Sequence, residues 1–205
     1  MYKYTDKILA SLDRQFLRIF RKLRLMKFDE LNVLNHVVAA YRRADKLAKK
    51  GYLDIAIHAY LFAMEQAEEQ GYKPKQQTEI DEDWILEMLE EEDFVTLYDY
   101  ENEWERKRQR LSEALAATNA PNKEIDKALK LAILQVSHYA DKATAKAAIQ
   151  AFKDAGVKKV KWITERDDRV CNKCEPLDGK VFDIDKVPQI PQHYRCRCRL
   201  EIYDA

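Results

Sequence analysis

Glycine and proline are scarce, with four and five among 205 residues. So few chain breakers leave room for long helices. Net charge is missing too: 36 Lys and Arg balance 36 Asp and Glu, for a formal net charge of +0. No overall charge therefore draws the chain to nucleic acid or to a membrane surface. No uncharged apolar run approaches the roughly 18 residues of a membrane span. The start, Met1-Tyr2-Lys3-Tyr4-Thr5-Asp6, leads into a basic amphipathic helix and not into an apolar segment with a small-residue cleavage site. No signal peptide is expected, and assembly in a cytoplasm follows. A reducing cytoplasm disfavours structural disulfides and favours metal ligation by thiols. No cysteine precedes residue 171, and no Gly-rich phosphate loop, Ser-His-Asp order or paired-carboxylate motif stands out.

What the chain does have is helical periodicity and charge in blocks. Residues 1–27 carry eight Lys/Arg and two acids, whereas 79–105 carry thirteen Asp/Glu and no Lys/Arg. Blocks of this kind are read first as solvated helix faces that set docking orientation. Ile8, Leu9, Leu12, Phe16, Ile19, Phe20 and Leu23 recur at helical spacing over Thr5–Met26. A second helix is expected over Glu30–Lys50, with Asp29 as N-cap and Gly51 as its end. A third runs over Leu53–Gln70, and Tyr72–Gln77 reads as a linker. Further helices are expected over Asp83–Glu92, Phe94–Ala117 and Lys123–Ala155, the last interrupted near His138. After Gly156 the texture turns to short strand candidates at 157–164, 180–184 and 199–203. The expected fold is mainly α, a long-helix body followed by a small zinc-binding α+β/β-hairpin module at the C-terminus. Its regions are a basic-led helical stretch 1–75, a helical stretch with the acidic segment 76–156, and the module 157–205.

All four cysteines fall in that last region, spaced C-x2-C, then eighteen residues, then H-x2-C-x-C: Cys171, Cys174, His193, Cys196 and Cys198. A C-x2-C pair on a tight turn presents two sulfurs to one tetrahedral ion, and a second pair across a hairpin closes the site. Zinc fits thiolate and imidazole without redox chemistry. Five candidates compete for four places, and spacing leaves open which pair completes the site. Four protein ligands leave no position for water or substrate, so such a zinc is structural. A segment of about fifty residues buries little core, and a metal staple supplies the missing stability. Trp162, Ile163, Val170, Leu177, Val181, Phe182 and Ile184 are its candidate core.

The pieces Lys161-Trp162-Ile163-Thr164, Asp168-Arg169-Val170-Cys171, Cys174, Leu177-Asp178-Gly179-Lys180-Val181-Phe182, Pro191, His193 and Cys196-Arg197-Cys198 occur in one order. That order resembles the signature of the phage Mu F-like minor head proteins, also called phage head morphogenesis proteins. The resemblance spans roughly 156–203 and, weakly, the helix before it, where Gln135-Val136-Ser137 stands in place of the Arg-Thr-Glu-like piece of many members. It implies a non-enzymatic minor capsid protein of a tailed phage or prophage, in the capsid interior or at the portal vertex. The implied partners are portal and/or major capsid protein, with phage DNA as a further partner in packaging or ejection, and with no membrane and no small-molecule substrate.

Around the cysteines stand Arg166, Arg169, Lys173, Arg195, Arg197 and Arg199. They support an alternative reading, a zinc-dependent nucleic-acid-binding protein; the counter-reading is compensation of thiolate charge. Glu165, Asp167 and Asp168 are read as turn-forming and charge-pairing residues. His36, His58 and His138 are read as ordinary surface or packed histidines.

Overall fold

The structure is a computed structural model that describes residues 2–26, 32–91 and 100–204. Among the described residues five helices come first: α1 Tyr2–Leu23, α2 Val33–Glu69, α3 Glu82–Glu90, α4 Tyr100–Ala117 and α5 Pro121–Ala155. Three strands follow, β1 Lys159–Ile163, β2 Val181–Asp183 and β3 Arg199–Ile202. The expected Asp29 cap, the start of the second helix and the stretch 92–99 lie outside the described residues. No described helix is long and apolar enough to cross a membrane.

Two expected breaks are absent. Gly51 does not end a helix; α2 runs straight through it. The residue is there for close approach instead, because a Cβ at Gly51 would stand 2.6 Å from Leu12 Cδ1 of α1. Packing, and not backbone conformation, explains this glycine. Likewise α5 passes His138 without interruption. Gly71 and Gly156 do follow helices at positive φ, and Gly156 caps α5 at φ 85°, as a left-handed terminus requires.

The core is built on α2 and α5. Ala44, Ala48, Ala56, Ala59, Ala63 and Ala67 on α2 and Ala132, Ala140, Ala143, Ala147 and Ala151 on α5 are all buried. Such small side chains let helix axes come close, and aromatics fill the flanks. Tyr100 stacks edge-on to Tyr139 with centroids 4.8 Å apart, and its hydroxyl donates to Asp45 at 2.7 Å. The sheet has the order β2-β1-β3, antiparallel throughout, with Val160 opposite Phe182 and Ile202 and Trp162 opposite Leu200. Val160 and Trp162 share the buried face, as alternation dictates. Val157, Val160 and Ile184 join the same hydrophobic cluster as the helices. Of the residues expected to form the module's core, Trp162, Ile163 and Ile184 are buried, whereas Val181 is 38% exposed.

One buried carboxylate locks the segment after α2 onto both main helices. Asp154 of α5 accepts from Tyr60 Oη at 2.5 Å, Gln76 Nε2 at 2.8 Å, the Thr78 backbone N–H at 2.8 Å and Gln150 Nε2 at 2.8 Å. Burial alone would raise its pKa, but the bonds from Tyr60, Gln76 and Thr78 outweigh burial and hold it below the usual carboxylate value. A folded-state pKa below the unfolded one adds stability above about pH 3.9, which is lost as pH falls through the folded value. Asp154→Ala should cost about 3 kcal/mol in urea unfolding at neutral pH, because it leaves buried donors unpaired. Its loss of stability on acidification should be shallower than that of the wild type.

Candidate metal centre

The first pair of sulfurs is set by a single turn. Cys174 and Glu175 both donate their backbone N–H to the Cys171 carbonyl, at 3.0 and 2.9 Å, and a short 3-10 helix Glu175–Leu177 continues the turn. Both side chains therefore leave the same side of the chain. The second group comes from the approach to β3. Cys196 N–H bonds the His193 carbonyl at 3.2 Å, Arg195 takes φ 60°, and Cys198 immediately precedes the strand. Pairing of β3 with β1 brings this arm alongside the first.

All five donors meet there. His193 Nε2 lies 3.1 Å from Cys171 Sγ and 3.3 Å from Cys174 Sγ, and Cys174 Sγ lies 3.8 Å from Cys196 Sγ. The donors form two triads, Cys171-Cys174-His193 and Cys174-Cys196-Cys198, each with all its atoms within 4.8 Å of one another. Cys174, the buried member, belongs to both. His193 Nδ1 donates to the Tyr194 carbonyl at 2.8 Å, which orients the ring and leaves the Nε2 lone pair facing the sulfurs.

A tetrahedral zinc with bonds of about 2.3 Å to sulfur and about 2.0 Å to nitrogen sets edges of about 3.8 Å between sulfurs and about 3.5 Å between sulfur and nitrogen. The observed separations sit near those values. A cavity of about 20 Å³ between Cys171, Cys174, His193 and Cys198 is the size of an ion or a single water. This cluster can hold one metal ion.

Crowded thiols also perturb one another. Burial pushes the Cys174 thiol up to about 12. The hydrogen bond from Cys198 is the main cause that brings Cys196 down to about 5, and it raises Cys198 in turn. Burial would raise Cys171, yet the backbone N–H groups of Cys174 and Lys173 bring it below the ordinary thiol value. Two of the four sulfurs are thus biased toward thiolate, the form that binds metal.

Ion pairs that the spacing does not reveal hold the two arms together. Asp167, before the first pair, takes Arg197, between the last two cysteines, in a bidentate bond of 2.7 and 2.6 Å. It also accepts from the Arg169 N–H, in line with the turn and pairing roles expected of the acidic triplet. Arg166 pairs with Asp178, and Arg199 with Glu165 and Glu201. Of the six basic residues around the cysteines, Lys173 and Arg195 have no ion pair among the described residues. The positive charge therefore largely compensates carboxylates, and not the thiolates for which it was expected. His36, His58 and His138 join no donor cluster among the described residues. His138 is packed, 1% exposed, with its ring 4.6 Å from that of Tyr194.

Tyr194 also joins the centre to the helical body. Its hydroxyl donates to Glu103 of α4 at 3.1 Å, and the same carboxylate is ion-paired with Lys107. Both are largely buried, and burial lowers the Lys107 pKa. Nothing in the sequence marks this link, because 91 residues separate its ends.

A helical body ending in a three-stranded sheet, with four cysteines and a histidine gathered at the sheet's loops, defines the class: a mainly α protein with a C-terminal Cys/His centre. The family model for phage Mu protein F like proteins matches residues 100–201, about half of the chain, from the start of α4 into β3. The chain belongs to that family, and the membership points to a phage head morphogenesis protein. No curated protein and no solved structure matches it. The match takes in α4, which the resemblance read from the sequence did not reach.

Removing the carboxylate under Tyr194 tests the link. Glu103→Ala strands the buried Lys107 charge and should cost about 3 kcal/mol in chemical unfolding. Adding Lys107→Met should recover part of that loss, because the stranded charge is gone.

Proposed function

We propose that this protein is a non-enzymatic minor head protein of a tailed phage or prophage, seated near the portal vertex, with a structural zinc in its C-terminal centre. The observation that carries the reading is the coincidence of the family match with the donor cluster, since residues 100–201 contain all five donors and the helices that carry them. The residues that would hold the ion are Cys174, Cys171 and His193, with Cys196 or Cys198 as the fourth. Bound there, zinc supplies a cross-link between the turn at Cys171 and the approach to β3. The chain's own part is to fix that geometry: Asp167 and Arg197 clamp the arms, and the Tyr194 carbonyl fixes the imidazole. A site filled by four protein ligands has no vacancy for substrate, which favours a structural role over a hydrolytic one.

The partner expected on this reading is the portal protein, met through the helical body, because that body holds most of the amphipathic surface. Major capsid protein is a further partner. Phage DNA contact during packaging or ejection is the finer possibility, and the pairing of most basic residues beside the cysteines with carboxylates weighs against the metal centre as its site.

Two measurements decide. Elemental analysis of protein purified without added metal should find about one zinc per chain. Cys174→Ser, which removes the donor common to both triads, should lower the content more than Cys198→Ser does. A chain with no zinc, or one whose C-terminal segment stays folded after chelation, would remove the structural-metal reading. Co-expression with the portal protein of the same phage should yield a complex that survives low-salt purification. Failure to co-purify would count against the portal assignment while leaving the metal result standing.

A further inference from the structure

A wide groove is lined by none of the cysteines. It has a volume of about 860 Å³ and runs between the second half of α1, the middle of α2, and α3. Its apolar lining comes from Ile19, Leu47, Leu53 and Ile85. Beyond Leu53, the same face of α2 continues at four-residue spacing as Ile57 and Leu61, which are 36% and 54% exposed. Five cations line the groove, Lys22 of α1 and Arg43, Lys46, Lys49 and Lys50 of α2, with the carboxylates Asp45 and Asp54 among them. Lys49 is paired with Asp45 and Glu101, and none of the other four is ion-paired among the described residues.

The other wall has the opposite character. Leu86 of α3 lines the groove and is 43% exposed. Around it on the helix, at i−4, i−3 and i+4, stand the exposed carboxylates Glu82, Asp83 and Glu90. They too have no ion pair among the described residues. One face thus shows a wall with four unpaired cations against the carboxylates Asp45 and Asp54, an apolar trough, and an unpaired anionic row, side by side.

We infer that this face is the contact between two copies of the chain related by a two-fold axis. A two-fold contact is self-complementary: each patch meets its own copy turned round. Turned round, the carboxylates about Leu86 on one copy meet the lysine and arginine rim of the other. Leu86 enters the facing trough, and the same contacts repeat on the far side of the axis. An acidic partner of another kind would satisfy the cationic rim but would set its charge against Glu82, Asp83 and Glu90. A basic partner has the converse difficulty, and nucleic acid is repelled by the anionic row. A second copy answers both rows at once. The contact is independent of the metal centre and of the portal reading.

Charge exchange tests it on the full chain. In sedimentation equilibrium at low salt the wild type should be a dimer, with the association weakening as salt screens the paired rows. Lys46→Glu with Lys50→Glu, and separately Glu82→Lys with Glu90→Lys, should each weaken association by roughly tenfold or more. Helix content by circular dichroism should be unchanged, since all four positions are exposed. Mixing the two variants should restore dimers, because each then presents the row that the other now needs. A wild type that stays monomeric, as it would if the groove takes a different acidic partner, overturns the inference. So do variants that dimerise as well as the wild type, or a mixture that does not recover.

Discussion

Alanine against alanine is the contact on which the rest of the protein is set. α2 and α5 each bury a run of alanines, and side chains of that size let two long helices pack at close range and leave their flanks to aromatics. A larger residue in that seam would separate the axes. It would also displace what α5 carries: Asp154 near its end, the His138 face that supports Tyr194, and the Gly156 cap from which the chain enters β1. The position of the Cys/His centre is inherited from this seam. The sheet has no separate foundation, since Val157, Val160 and Ile184 are continuous with the helical core.

At the centre itself the governing constraint is charge in a small volume. Four sulfurs and an imidazole within a few ångströms of Cys174 must share protons or a cation. The opposed shifts of Cys196 and Cys198 are the protonic version of that sharing, one thiol holding its proton against the other. A divalent ion answers the same demand for all of them together. The surrounding arginines do not supply the compensation, because most are already committed to carboxylates that brace the two arms. That commitment separates a braced Cys/His cluster from a basic surface open to phosphates.

Much of this was legible in the residues and some was not. Helical spacing marked the helical stretches, although it divided α2 at Gly51, and paired cysteine spacing singled out the five side chains that the fold gathers. Glycine was the less dependable sign. Gly156 and Gly71 follow helices, as a small residue in that place implies, but Gly51 sits inside one because α1 passes too close for a Cβ. The same residue answers two different physical demands, and one-dimensional sequence does not say which. The clamp between Asp167 and Arg197 and the bond from Tyr194 to Glu103 join residues 30 and 91 positions apart. Local periodicity carries no trace of partners at that range.

What the sequence determined by itself was therefore what depends on near neighbours: the helical stretches, the paired spacing of the cysteines and the histidine beside them, and the family signature. Only the tertiary structure decided how the donors group, as two triads hinged on Cys174, and which charges are spent internally. It also decided which charges stand unpaired beside an apolar groove. The physical reason is common to all three: each depends on distances across the fold, set by how helices and strands pack, and the same side chains packed otherwise would pair differently.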